Sequence, residues 1–286
     1  MARISDMIRE RLGECSPAER KVARALLASY PAAGLETVAR LAERAGVSAP
    51  TVLRFAGRLG FGGFPELQDA LRAELGERDA SPATLYEATG YGSRDSSSAE
   101  LLQRAGRAFG ESVAQTFAAM PPGDLQAAID LLADPSRRIL ITGGRFSRLL
   151  GHYLALHLIQ MRGNVCPLPE AKVERTAVLA GTGRRDVLVV LDYRRYEPES
   201  LELARYVRDR GARVVLLTDP WLSPIASIAD VVLPGHVGAP SPYDSLVPTL
   251  AVIETVVAGV LTALGPAGHD HLRRNEEVAR AAGLYG

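Results

Sequence analysis

Three sets of residues in this chain have types and spacing that suit chemistry. The first is a short cationic stretch holding Ser48, Ala49, Thr51, Arg54 and Arg58, with no acid between Ser48 and Gly60. Threonine and arginine on an exposed helix face suit contacts to phosphates and base edges, arginine to guanine being the commonest specific pairing. The second set is Thr142-Gly143-Gly144-Arg145-Phe146-Ser147. Glycines let a backbone approach an anion, Arg145 adds a charge, and Ser147 can either cap a helix or meet a phosphate oxygen where the helix N-terminus favours negative charge. The spacing is not the dinucleotide pattern G-x-G-x-x-G, and a Gly-Gly turn can equally serve as a connector. The third set is Asp192-Tyr193-Arg194-Arg195-Tyr196-Glu197. Adjacent arginines suit a forked clamp for phosphate or carboxylate; the alternative is that either pairs with Asp192 or Glu197, or lies in solvent.

The first set needs a helix to present it. Ser48 is a good N-cap, and Pro50 falls in the first turn, where a missing N–H costs little. Val52, Phe55, Ala56 and Leu59 recur at i, i+3, i+4, i+7 and form one apolar stripe, which leaves Thr51, Arg54 and Arg58 pointing away from it. Gly60 ends the helix. Thr37 to Gly46 reads as a second amphipathic helix joined through Gly46-Val47-Ser48. Helix, short turn with glycine, helix is the helix-turn-helix signature, in which the second helix enters the DNA major groove; the same pattern also occurs in plain helical bundles. Around it, residues 3–12 form an opening helix, Ser16-Pro17-Ala18-Glu19 a capping box, and Phe64-Pro65-Glu66 the start of a helix with Leu67, Leu71 and Leu75 on one face. Residues 1–77 are thus expected to form an all-α bundle of five helices.

Residues 78–98, rich in Gly, Ser, Asp and Ala, read as a linker, and residues 99–286 as a second domain. Residues 99–120 are helical in pattern and suit either bridging, subunit pairing or plain packing. Apolar runs at Arg138–Thr142, Val187–Leu191, Val214–Leu217 and Val231–Leu233, with a further one at Val165–Leu168, alternate with helical patterns at Leu149–Met161, Pro198–Arg210 and a short Pro224–Ala229. Such alternation predicts a parallel sheet covered on both faces. Ligands of open α/β sheets bind beyond the carboxyl ends of the strands, which is where the second and third sets fall. A further loop, Thr218 to Pro224, offers Ser223 as a helix cap and Trp221 at the mouth of a cleft, for which a structural role is expected. Residues 244–264 read as a buried helix of the domain or of a dimer interface, not a membrane span, and His269–Ala282 as a surface helix.

The 286 residues suggest two domains, and 47% hydrophobic residues allow sizeable cores. Basic and acidic residues balance at 33 each, and residues 1–80 hold 12 basic against 11 acidic, so any attraction to DNA must come from local placement. Two distant cysteines, Cys15 and Cys166, with no CxxC, argue against a disulfide framework or a metal site and fit a reducing cytoplasm. No cofactor is expected. No apolar run is expected to reach membrane-spanning length, and the N-terminus lacks the apolar core of a signal peptide.

The first 75 residues resemble the N-terminal domain of RpiR-type (MurR/RpiR) transcriptional regulators. The pattern V-S-x-x-T-V-x-R-F-x-x-x-L-G-x-x-G-F is matched by Val47, Ser48, Thr51, Val52, Arg54, Phe55, Leu59, Gly60, Gly63 and Phe64. Asp124 to Leu264 resembles a SIS (sugar isomerase) domain through ILITGGRFS, VVLLTDPWLSPIASIADVVLP and SPYDSLVPTLAVIE. The resemblance implies a five-stranded parallel sheet in the α/β domain, assembly as a homodimer or homotetramer, a double-stranded DNA operator as partner, and a phosphosugar site in Ser/Thr-rich loops, with Ser147 on the family's first-loop serine. This chain departs from the pattern twice. Arg145 replaces the second glycine of G-x-G-x-S, and Asp192, Arg194, Arg195 and Glu197 stand where S-x-S-G-x-T has its serines, glycine and threonine.

The expected function is therefore a DNA-binding regulator whose SIS-like domain senses a small anionic metabolite, a sugar phosphate among the candidates. A sugar-phosphate isomerase is the alternative enzyme reading, for which Glu174, Glu254, His152, His157 and His236 are the available acids and bases, though no pair stands out by spacing. A SIS-like domain acting only in dimerisation is the third.

Overall fold

The computed structural model describes residues 4–28, 30–89, 91 and 97–284, and the chain divides into two compact units, Met1–Ser81 and Pro82–Gly286. The first unit is helical: α1 (Ile4–Arg11), α2 (Pro17–Ala28), α3 (Ala32–Leu35), α4 (Val38–Ala45), α5 (Ala49–Arg58) and α6 (Phe64–Asp79). The capping box at α2 forms as the sequence requires. Ser16 N–H donates to Glu19 Oε2 at 2.8 Å, and Glu19 N–H donates to Ser16 Oγ at 3.3 Å. Thr37 caps α4, and Gly46 ends it in the left-handed region at φ 62°. Val22, Leu26, Leu41, Val52, Phe55, Leu59, Leu67 and Leu71 meet in one core. The short α3 adds to the five expected helices; its sequence, AAGL, is too short to show a period.

The second unit contains α7 (Pro82–Thr89), α8 (Ser98–Ala119), α9 (Pro122–Ala133), β1 (Arg138–Gly143), α10 (Ser147–Met161), β2 (Val165–Pro167), α11 (Lys172–Ala180), β3 (Asp186–Asp192), α12 (Pro198–Asp209), β4 (Arg213–Thr218), β5 (Val231–Pro234), α13 (Val247–Leu264) and α14 (Pro266–Ala281). The five strands lie in the order β2-β1-β3-β4-β5, all parallel, with Gly143 opposite Leu191 and Asp192 opposite Thr218. One face packs Ile139, Ile141, Val187 and Val189 against α9, α10 and α13. The other packs Leu140, Leu188, Val190 and Leu216 against α11 and α12. Both faces being covered explains why the strands read as unbroken apolar runs. From β1 the chain steps outward to β2, and from β3 outward to β4, so the order reverses between β1 and β3 and opens a crevice at their carboxyl ends.

Several elements differ from the sequence reading. The 78–98 stretch is not wholly irregular: α6 runs to Asp79, α7 starts on Pro82, and a capping box of Ser97 and Glu100 opens α8. The rest of that expected linker, residues 90 and 92–96, lies outside the described residues. α9 and α11 were not anticipated, although Leu125, Ala128, Ile129 and Leu132 do keep the i, i+3, i+4, i+7 spacing. Contrary to expectation, α13 is long and apolar enough, at 18 residues, to cross a membrane by length and composition. In this unit it packs on α8, α9, α10 and α14 and buries Val252, Ile253, Val256 and Val260.

One buried cation staples the second unit together. Arg162, just past α10, is 5% exposed. Its guanidinium donates to the carbonyls of Leu132, Arg137 and Gly163, tying the end of α9 and the entry to β1 to the end of α10. Burial pulls its pKa below the ordinary arginine value, and the nearby Asp134 offsets part of that. Replacing it leaves buried carbonyls without donors, so Arg162→Ala is expected to cost about 2–4 kcal/mol in urea unfolding. A loss below about 0.5 kcal/mol would show that water replaces the guanidinium without penalty.

Candidate functional site

In the first unit the candidate residues lie on α5 and its N-cap, but three of them do other work than expected. Ser48 is the N-cap residue, yet its hydroxyl does not cap the helix; it lies 3.1 Å from Thr51 Oγ1 and shares a hydrogen bond with it. Thr51 is buried rather than on the exposed front, because the i+3 neighbour Arg54 and the cap residue both lie over its hydroxyl. Arg58 is drawn off the front by an acid remote in sequence. Its Nε donates to Glu19 Oε2 at 3.1 Å, and its own carbonyl accepts Arg11 Nη1 at 2.6 Å. Burial raises the Glu19 carboxyl, but the Ser16 N–H and hydroxyl and the Arg58 guanidinium outweigh it and hold the pKa below the ordinary value. Arg54 and Ala49 are exposed as anticipated, and Arg54 Nη2 donates to Thr51 Oγ1 at 3.1 Å.

In the second unit a cleft of about 550 Å³ opens at the carboxyl ends of β1 and β3. It is lined by Gly144, Arg145, Phe146 and Ser147 after β1, by Asp192, Tyr193, Arg194, Arg195 and Glu197 after β3, by Tyr243, Asp244 and Leu246 ahead of α13, and by Pro82. The second and third residue sets thus converge. Gly143 lies one residue behind, where α10 passes so close that a Cβ would stand 2.8 Å from Arg148 N; only glycine fits. No side chain caps α10; the carbonyls of Gly144 and Phe146 accept the N–H groups of Arg148 and Leu149, and Phe146 and Ser147 line the cleft. A helix N-terminus and a glycine turn make this end of the cleft receptive to negative charge.

The side chains are distributed differently from a simple arginine clamp. Arg194 is turned away from solvent, its side chain 8% exposed, and its Nε donates to Asp244 Oδ2 at 2.6 Å while Nη2 pairs with the other oxygen. The guanidinium also stacks over Trp221, 5.2 Å from the ring centroid. Arg195 adopts a left-handed backbone, φ 66°, which sends its side chain out on its own; it is exposed and makes no ion pair or hydrogen bond with the described residues. The two arginines therefore do not form one fork. Arg145 is exposed and stands 3.9 Å from Glu197. Ser147 is not available to a phosphate oxygen. Its buried hydroxyl accepts from Gly144 N–H at 3.0 Å and donates to Leu191 O at 2.7 Å, bolting the loop after β1 to β3.

Asp192 also holds the site together. It is buried, accepts the Glu197 N–H at 3.4 Å, and accepts the Ser223 hydroxyl, so it joins the loops after β3 and β4. Burial pushes its carboxyl up to about 6, against the pull of the Ser223 and Glu197 hydrogen bonds. Ser223 caps the turn at Pro224–Ser227 as anticipated. Asp244 and Tyr243 were not singled out as site residues. The signal available was topological: an irregular segment between β5 and α13 must return across the carboxyl end of the sheet. The acids and bases considered for isomerase chemistry lie elsewhere. Glu254 accepts the Tyr153 hydroxyl, Glu174 and His152 are exposed on α11 and α10, His157 lies edge-on to Tyr153 and His236 N–H donates to Thr116. None of the five lines the cleft.

Comparison with known proteins bears on both units. Residues 2–78 match the helix-turn-helix domain of the rpiR family, and residues 131–259 match the SIS domain. The chain is 30% identical over 285 residues to the HTH-type transcriptional regulator HexR of Pseudomonas aeruginosa, covering 97% of this chain and 95% of that one. Its fold is similar to the sugar isomerase domain of an RpiR transcription factor from Sphaerobacter thermophilus, with TM-score 0.57, 22% identity, and 62% and 99% of the two chains covered. It is also similar to the Vibrio vulnificus NanR protein complexed with ManNAc-6P, with TM-score 0.54, 18% identity, and 97% and 98% covered.

The raised Asp192 carboxyl has a consequence for stability. The folded chain keeps this proton up to about pH 6, whereas the unfolded chain releases it near the ordinary aspartate value of about 4. The stability it contributes is present in full below about pH 4 and is lost as pH rises through about 6. Asp192→Asn keeps the size and removes the titration. Relative to that variant, the wild type is expected to lose roughly 3 kcal/mol across this window in urea unfolding. A difference that stays flat with pH would place the carboxyl in a solvated site.

Proposed function

The chain belongs to the rpiR family of helix-turn-helix transcriptional regulators and carries a SIS domain after its DNA-binding domain, and on that premise we propose that it binds an operator through α5 and senses a small anionic metabolite in the cleft at β1 and β3. The observation that carries the sensing half is the cleft that brings Arg195, which has no ion pair or hydrogen bond among the described residues, together with Gly144 and the first turn of α10. These are the features that hold an anion without a metal or cofactor. A sugar phosphate fits the cleft's size and polarity, and the Vibrio vulnificus NanR protein, of the same fold, is complexed with one. Regulation is favoured over isomerisation because the chain aligns end to end with a transcriptional regulator. Assembly as a dimer or tetramer fits the exposed Leu149, Leu156 and Ile159 on α10.

Fluorescence anisotropy with the DNA upstream of the protein's own gene, a scrambled control and several salt concentrations tests the DNA half. Sequence-selective binding is expected, with Arg54→Ala weakening it by about 1–3 kcal/mol. Equal, salt-abolished binding to both duplexes would leave only nonspecific attraction and overturn the reading for that DNA. A metabolite panel of phosphosugars and non-phosphorylated acids tests the sensing half. One compound is expected to shift the anisotropy curve, and Arg195→Ala to weaken that compound's calorimetric affinity about tenfold. Turnover of a phosphosugar in the same panel would instead establish an isomerase.

A further inference from the structure

α5 carries two arginines, and the structure assigns them opposite tasks. Arg58 is committed to the scaffold, paired with the buried Glu19 and bearing on its carbonyl the Arg11 guanidinium. Arg54 remains on the exposed front. Its hydrogen-bond partner is a neutral hydroxyl, Thr51 Oγ1, at 3.1 Å. A carboxylate there would cancel the charge and occupy the fork. A hydroxyl takes one of five N–H donors and leaves the charge whole.

The direction of this contact matters. Thr51 lies three residues toward the N-terminus, so the bond draws the guanidinium back over the first turn of α5. In a helix-turn-helix that turn is the part of the second helix that meets base edges. Thr51 is itself fixed. It is 4% exposed, β-branched and therefore stiff at χ1, and its hydroxyl is shared with Ser48 Oγ at 3.1 Å. A hydroxyl buried in this way is poorly placed to touch a phosphate.

We propose that Thr51 is a positioning residue for base reading: with Ser48 behind it, its hydroxyl holds the Arg54 guanidinium over the first turn of α5, where the remaining donors meet the acceptor pair of a guanine. This rests on the DNA-binding reading of α5 given above. It goes beyond that reading by moving Thr51 from contact residue to the residue that sets which base pair Arg54 recognises. Losing the hydroxyl frees a long side chain among its rotamers, so discrimination should fall while general attraction to phosphates stays.

The test uses the full-length protein and duplexes selected from a randomised pool, so no operator need be known beforehand. Wild type and Thr51→Ser are expected to select the same consensus. Arg54→Ala and Thr51→Val should each lose preference at one and the same base pair, by roughly tenfold and fivefold in competition. Thr51→Val, nearly isosteric, should keep the wild-type thermal midpoint and the wild-type slope of affinity against salt. The double variant Thr51→Val/Arg54→Ala should discriminate no worse than Arg54→Ala alone, because the threonine acts through the arginine. Should Thr51→Val fail to fold, Ser48→Ala removes the second link from an exposed position and should weaken preference at the same base pair. Undiminished discrimination in folded Thr51→Val, or losses that add in the double variant, would overturn the positioning role and leave Thr51 as packing. Failure of the wild type to select any consensus, or an unchanged consensus in Arg54→Ala, would instead overturn the base-reading role of α5 itself.

Discussion

The adjacency of β1 and β3 is the constraint on which the second unit depends. Parallel pairing sets Gly143 beside Leu191, so the two loops that follow are forced together at one end of the sheet. Because the chain leaves these strands in opposite directions, no crossover covers the gap between them. The loops are then locked by hydrogen bonds a cleft alone would not require. Ser147 fastens the first loop to the last residues of β3, and Asp192 fastens the second to Ser223 beyond β4. Buried hydrogen bonds of this kind favour one arrangement of the loops around the cleft.

The DNA-binding unit solves the same problem with one acid. Glu19 closes the capping box of α2 and also receives Arg58 from α5, so a single buried carboxylate sets the start of one helix and the end of another. α5 is thereby held by its apolar stripe on one side and by this ion pair at its last turn. The pair is half-exposed on the arginine side, and its worth lies in orientation more than in stability. What remains on the outer face is Arg54 with its hydroxyl support.

Periodic features were legible in the sequence and pairings were not. All five strands fell within two residues of their apolar runs, and the helix-turn-helix followed from the stripe through Val52, Phe55 and Leu59 with Gly46 at the turn. These depend on neighbours a few residues apart. The partners that decide the sites are remote: Arg58 meets Glu19 from 39 positions away, and Arg194 meets Asp244 from 50. No spacing rule reaches so far, and a serine or arginine in the right loop looks the same whether it faces a ligand or the protein. Ser147 and Arg194 were therefore placed in the right loops, with partners that only the folded chain reveals.

The Arg194–Asp244 pair also bears on what the cleft can accept. Where the family pattern has small hydroxyl residues after β3, this chain supplies a guanidinium and then neutralises it with its own carboxylate, under the face of Trp221. A ligand anion that sought Arg194 would have to expel Asp244 and strand a partly buried acid, which costs more than the exchange returns. Arg195 makes no ion pair among the described residues, so an anion that met it would break none. Of the lining carboxylates, Asp244 is taken up by Arg194 and Glu197 stands 3.9 Å from Arg145, while Phe146, Tyr243 and Leu246 give the cleft an apolar wall. The second-loop substitutions therefore set two guanidiniums against two carboxylates, and of the two cations Arg195 is the one without an ion pair among the described residues.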